Sequence, residues 1–460
     1  MTLTAAPNTP AAMHYSPLSV RHLRAGRMGG RFLLFLAIVL AGYAMDGKGF
    51  AYLGIPPLFI GEITLAIGLF ILLRTSGWHR LWESPQIIAL SAFILFGVVR
   101  TVPYINIYGI DALRDSCTYY YGAFAFIVAA LLIAEPNRLL TLLAWFRLFA
   151  KTFLGVILLV FCVYHFAAGA LPHWPWGDIS IINEKEGDVL VHLAGIVAFW
   201  MSGLAGPVPT KWSMFLALDA ALMGAIDRGG MVAFAAAMGL GMAHRPRSPM
   251  GWRMIGAIIG AIVLLGVTGI HVEVPNGKHR ELSFEQIVTN VVSTFGDVGT
   301  DGLDSTKQWR TDWWKDIIHD TVKGPYFWDG KGFGLNLADY YGYQVGDRSL
   351  RSPHNAHMTI LARMGVPGLV LWAIVQGSFA LAILDRYYKT RRSGDVRWNG
   401  LFLFIGAYWL AFLINASFDV FLEGPMGGIW FWSVYGFGVG ALWIFKHHPE
   451  VLYPAEPARE

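Results

Sequence analysis

The fold class this chain predicts is an all-α, polytopic integral membrane protein. Three observations point to it. Hydrophobic residues fill 55% of the 460 positions and charged residues only 14%, the balance of a chain whose solvent is largely lipid. Apolar runs long enough, or nearly so, to cross roughly 30 Å of hydrocarbon recur at about twelve places. The basic residues between those runs fall on alternate sides, as the positive-inside rule requires of a chain that threads a membrane repeatedly.

Taken in order, the apolar cores lie near 32–45, 57–73, 87–99, 116–133, 148–166, 189–204, 213–226, 231–243, 254–270, 366–384, 401–414 and 429–445. No small-residue cleavage site follows the first run, so it reads as an uncleaved first helix. Arg74 and Arg80, then Arg138, Lys211, the trio Arg245, Arg247 and Arg253, and the group from Arg386 to Arg397 share one side, which the rule makes cytoplasmic. The basic stretch 21–31 and Lys446 agree, giving both termini inside and an even number of spans. The formal charge of +4 is then mostly topology. The expected organisation is a cytoplasmic tail at 1–31, helices 1–9 over 32–271, a large periplasmic loop at 272–357, helices 10–12 over 358–446, and a cytoplasmic tail at 447–460. Cys117 and Cys162 both sit in apolar runs and read as packing residues, with no disulfide or thiolate site implied.

The long outer segment 272–353 holds nine Lys/Arg against twelve Asp/Glu, which removes any case for a nucleic-acid surface. Within it, 305–322 has the pattern of an amphipathic helix carrying Trp309, Trp313 and Trp314, suited to the headgroup level. Glycines from 330 to 346 predict irregular backbone.

Chemistry concentrates in 331–369, a polar stretch inside an apolar chain. His354 follows Pro353 and precedes a helix start, where an imidazole can act as a base near neutral pH; the plain alternative is a histidine satisfying loop carbonyls. His357 lies one turn on, but zinc needs three or four ligands and a glutamate second in an HExxH pattern. Asn355 occupies that position, so a metal is not expected. Arg228, in the DRGG turn, and Arg310, among the tryptophans, are outer-side guanidinium groups, and a guanidinium matches phosphate oxygens by a two-donor fork. Salt bridges of Arg228 with Asp227 and of Arg310 with Asp312 are the structural alternatives. Arg348, Arg351, Asn355, Arg100 and Arg114 border the same outer face as possible substrate contacts, or as solvated loop charges. Glu62 and Asp219 lie inside apolar runs, where an ionisable residue is costly; helix-packing hydrogen bonds are the expectation for both. No GxSxG elbow, P-loop or dinucleotide fingerprint is present.

These pieces, in this order, resemble the O-antigen ligase and polymerase superfamily of bacterial envelope proteins: DRGG with Arg228 opening a span, WRTDWWKDII with Arg310, the GKGFGLN turn, then SPHNAHMTILARMGVPGLVLW with His354. The ordered set covers roughly 210–385 and is specific where each piece alone is not. The resemblance implies a GT-C-like membrane glycosyltransferase with about twelve transmembrane helices and one large periplasmic loop, in the bacterial inner membrane with its site facing the periplasm. It implies metal-independent transfer, with no cofactor, from an undecaprenyl-diphosphate-linked glycan donor to a glycan acceptor, most simply the polymerisation of exopolysaccharide or O-antigen repeat units. Ligation of the finished chain to a lipid A core acceptor is the close alternative; transfer to a protein hydroxyl and lipid-glycan transport are further ones. Carried over, Arg228 and Arg310 would clamp the diphosphate and His354 would take the acceptor's proton.

Overall fold

The structure is a computed structural model describing residues 17–269, 271–275, 281–295, 301–346, 348 and 350–453; part of the basic N-terminal tail and the end of the C-terminal tail lie outside that set. Fourteen helices carry the architecture. In chain order they are α1 (Pro17–Asp46), α2 (Ile60–Arg74), α3 (Pro85–Tyr108), α4 (Ile110–Ala134, in three consecutive pieces), α5 (Arg138–Phe166), α6 (Glu186–Met201), α7 (Thr210–Ile226), α8 (Arg228–His244), α9 (Pro249–Thr268), α10 (Phe284–Phe295), α11 (Asp301–Ile318), α12 (Ala356–Ser393), α13 (Val396–Ala416) and α14 (Pro425–His447). Among the described residues, sheet is confined to two pairs of two-residue strands.

Each of the twelve apolar runs lies largely within one of these helices. Among the described residues, eight helices, α1, α3, α4, α5, α9, α12, α13 and α14, are long and apolar enough to cross a membrane. The other four, α2, α6, α7 and α8, have 15, 16, 17 and 17 residues. At about 1.5 Å per residue these reach roughly 22–26 Å, short of the hydrocarbon thickness. Eight of the expected twelve spans thus have the full length and apolarity among the described residues. The short α6 is buried from Gly187 to Met201 between α8 and α13, so protein rather than lipid surrounds it. The opposite case is α9, whose Val263, Leu264 and Val267 are 54%, 64% and 81% exposed; apolar side chains in that number belong against acyl chains.

Small residues set the closest contacts, as expected where helices gain no hydrophobic advantage over lipid by separating. Along the seam of α14 with α4, a Cβ on Gly436 would stand 2.5 Å from the Ala125 carbonyl oxygen.

The outer segment is ordered by a second core beside the bundle: Trp313, Ile317, Leu337, Ala338, Leu361 and Ala362 pack together. This corrects the headgroup reading of the tryptophans. Trp313 is fully buried and stacks on Tyr343 at 5.2 Å and 8°, while the Trp314 indole donates to the Pro353 carbonyl at 2.9 Å. Their amphipathic face binds the loop before α12, which the periodicity could not distinguish from binding lipid. Below them α12 breaks at Gly365 (φ +66°). The break interlocks with the glycine turn: Gly330 has φ +60°, and a Cβ there would lie 2.4 Å from the Arg363 carbonyl carbon. Only residues without a Cβ fit that crossing.

Candidate active site

His354 stands at the entrance to α12, and the sequence around it explains its posture. Asn355 is the helix N-cap, accepting from the amides of His357 and Met358 at 2.9 and 3.1 Å. Trp314 fixes Pro353 from the other side. His354 is thereby held at φ +52°, a left-handed conformation that costs a non-glycine residue on the order of 1 kcal/mol or more and persists where surrounding contacts impose it. Its Nδ1–H donates to Asp419 Oδ1 at 3.3 Å, which leaves Nε2 as the basic nitrogen. Trp309 meets the imidazole edge to face, with centroids 6.4 Å apart.

Asp419 comes from the turn after α13. Its second oxygen accepts from Lys185 Nζ at 2.8 Å, so one carboxylate joins a lysine from the α5–α6 connection to the histidine of α12. Burial would raise the Asp419 carboxyl, but the Lys185 ammonium and the His354 contact outweigh it and hold the group well below the usual carboxylate range. For Lys185, burial favours the neutral amine, and the Asp419 and Asp188 carboxylates override that preference and raise its pKa.

Arg310 reaches the same turn, and Arg228 opens the helix that packs against it. Arg310 Nη1 donates to the Phe418 carbonyl at 2.9 Å. Arg228 opens α8 directly after Asp227, whose carboxylate caps the helix by accepting from Gly230 N at 2.7 Å. Next to it, a Cβ on Gly229 would be 2.8 Å from Phe418 Cβ, which shows how tightly the start of α8 presses on the turn. Arg228 Nη1 donates to Ser293 Oγ at 3.2 Å. Asp312 is engaged by Lys315 at 2.9 Å and by Gln308. Side chains from three stretches far apart in sequence, Lys185, Arg310 and His354, thus meet at Phe418 and Asp419, while the backbone at Gly229 packs on Phe418.

The remaining candidates divide differently. Arg351 forks onto Asp115, with Nε to Oδ1 at 3.3 Å and Nη2 to Oδ2 at 3.0 Å. Arg363 reaches the same carboxylate at 2.9 Å, and Gly334 N donates to it at 3.2 Å. Arg100 Nε donates to the Asp329 carbonyl at 2.7 Å, and Arg114 pairs with Asp111 at 3.1 Å on the surface. Arg348, at φ +51°, lies three residues before Arg351. Arg351, Arg100 and Asn355 have structural partners that tie the loop to α3, α4 and the start of α12. His357 has a protein partner at each nitrogen: it accepts from Trp372 Nε1 at 3.0 Å and donates to Ser417 Oγ at 3.1 Å. Glu62 accepts from Tyr121 at 2.8 Å, the expected packing bond. Asp219 departs from expectation, being wholly buried with neither oxygen hydrogen-bonded among the described residues.

Lys185, Asp419, Asp115 and Arg363 were not singled out from sequence. Arg363 carried a signal, a guanidinium inside an apolar run. Asp419 and Lys185 carried none, because their pairing spans the fold.

Residues 212–373 match the family model described as O-Antigen ligase. The match contains Arg228, Arg310 and His354, and it supports membership of the O-antigen ligase and polymerase superfamily. Asp419 and Lys185 lie outside the matched segment, so their place in the site rests on geometry alone. No curated protein matches the chain.

Proposed function

We propose that this O-antigen ligase-like chain is an inner-membrane glycosyltransferase that moves a glycan from a polyprenyl (undecaprenyl) diphosphate carrier to a sugar hydroxyl at the periplasmic face, most simply polymerising repeat units. The observation that supports it is a turn whose Asp419 orients His354 and whose Phe418 carbonyl holds the Arg310 guanidinium, with Arg228 opening the helix packed against that turn. A glycosyl diphosphate needs little more than those parts: a base for the nucleophile and cations for the leaving group. His354 Nε2 takes the acceptor hydroxyl proton while that oxygen bonds to the anomeric carbon. The bond from that carbon to the diphosphate oxygen breaks with its electron pair leaving on the diphosphate, and Arg228 and Arg310 stabilise the growing charge. One displacement of this kind inverts the anomeric centre. The imidazolium that results is stabilised by Asp419.

The test is transfer in a purified system with a polyprenyl-diphosphate glycan and chelator present. Arg310→Lys and Arg228→Lys should each lose most activity, because an ammonium cannot reproduce the planar two-donor geometry; near-normal product from both at equal protein levels would overturn the clamp. Turnover that chelator abolishes would overturn the metal-independent step. The same reaction separates polymerase from ligase: a ladder formed from donor alone is polymerisation, and a donor that stays unextended until lipid A core is added is ligation.

A further inference from the structure

The helix α10 is inside out for a helix in water. Its exposed side carries Phe284, Val288, Val291 and Val292, 36–48% exposed. Its buried side carries Asn290 and Ser293, both at 2% or less, beside a single buried apolar residue, Ile287 at 7%, among its described side chains. A helix packed on a protein in water turns its apolar stripe inward; one bounded by lipid on its outer side turns the apolar stripe outward and satisfies its polar groups against protein.

The inward polar groups have defined partners. Asn290 Nδ2 donates to the Gly224 and Ala225 carbonyls at 3.0 and 2.6 Å, closing the C-terminus of α7 immediately before Asp227 and Arg228. Ser293 receives the Arg228 guanidinium. The outward face continues an existing apolar surface, since a Cβ on Gly266 of α9 would touch the Phe284 ring at 3.4 Å, and α9 is the least buried of the eight long apolar helices.

We propose that α10 lies at the bilayer surface, its valine face against acyl chains and its polar face gripping the corner that bears Arg228. The segment expected to be a water-facing loop therefore begins with a lipid-facing helix, and Arg228 stands at the boundary between bilayer and site. Given the diphosphate role proposed above for Arg228, a polyprenyl chain can stay in lipid alongside α10 while its head group reaches the guanidinium.

Spin labels test this in lipid nanodiscs. Single cysteines at Val288 and Val291, in a Cys162→Ser background, are compared with Val263→Cys on α9 as the lipid reference and Asp312→Cys on α11 as the aqueous one. Labels at 288 and 291 should collide more with dissolved oxygen than with a water-soluble nickel chelate, as at 263. A chelate preference like that at 312 would overturn the proposal, and so would exclusion of both reagents with spin–spin broadening, which would mean that a second copy covers the face. The readout does not use activity, so failure of the transferase reading would leave it standing, and the reverse.

Discussion

Replacing Asp419 by Asn keeps the shape of the side chain and removes its charge, which separates two jobs that one carboxylate performs. Toward His354 it orients the ring and favours the tautomer with the proton on Nδ1. An amide can present either oxygen or nitrogen to that position, so the fixed tautomer is lost. Removing an orienting carboxylate costs about 10- to 100-fold beside a metal-bound histidine and about 10⁴-fold in a fully buried triad. Here the contact is 3.3 Å long and the side chains are 20% and 23% exposed, so a loss of roughly 10²-fold in transfer is expected. Toward Lys185 the carboxylate is an ion-pair partner at 2.8 Å, with side chains 40% and 23% exposed. That lies between a surface pair, about 0–1 kcal/mol, and a stranded buried charge, about 3–5 kcal/mol, so Asp419→Asn should cost about 1–2 kcal/mol of stability. Adding Lys185→Met removes the stranded ammonium. The double variant should recover most of the thermal stability and little of the activity, measured by thermal unfolding in detergent and by transfer from a polyprenyl-diphosphate donor at equal protein concentration. If Lys185→Met restores transfer along with stability, the loss came from the uncompensated lysine and the orientation argument is wrong.

Two further outcomes follow from buried charge. Asp115→Asn should leave Arg363, whose side chain is 2% exposed, without its ion partner, at a cost of about 3–5 kcal/mol; protein yield and melting temperature should fall sharply, and wild-type stability would refute the network. Burial pushes the Glu423 carboxyl up to about 7, against opposing contributions from Arg363, Thr359 and Ser352. Its folded value is above its unfolded one, so its contribution is most favourable at and below about pH 4.5 and declines as pH rises through about 7. Glu423→Gln should therefore gain stability relative to wild type across that window in pH-dependent thermal unfolding, and an unchanged difference between the two proteins would show that Glu423 does not titrate there.

Periodicity made the helical, membrane-type architecture legible because it acts locally: an apolar run records apolar surroundings residue by residue. Whether those surroundings are lipid or protein is not written in it. The core of α6 is as apolar as a spanning helix, and only the neighbouring α8 and α13 make it an interior helix. The same limit explains the tryptophans of α11, whose apolar face meets Tyr343 and the loop before His354. A hydrophobic stripe states that something apolar is opposite and does not state what.

In the site, the motif residues were legible because they cluster in short strings, Asp-Arg-Gly-Gly and Ser-Pro-His-Asn, whose backbone demands are local: a cap at Asp227, a cap at Asn355, a proline before the histidine. What those strings act through was not legible. Asp419 sits 65 residues after His354 and Lys185 lies 234 residues before Asp419, and nothing in either neighbourhood marks a charge that will be paired. Both belong to turns at helix ends, where a lone Asp or Lys ordinarily faces water. Only packing of α6, α8 and α12 around α13 brings them into one line, so the direction of the histidine is a property of the bundle, while the choice of histidine is a property of the string.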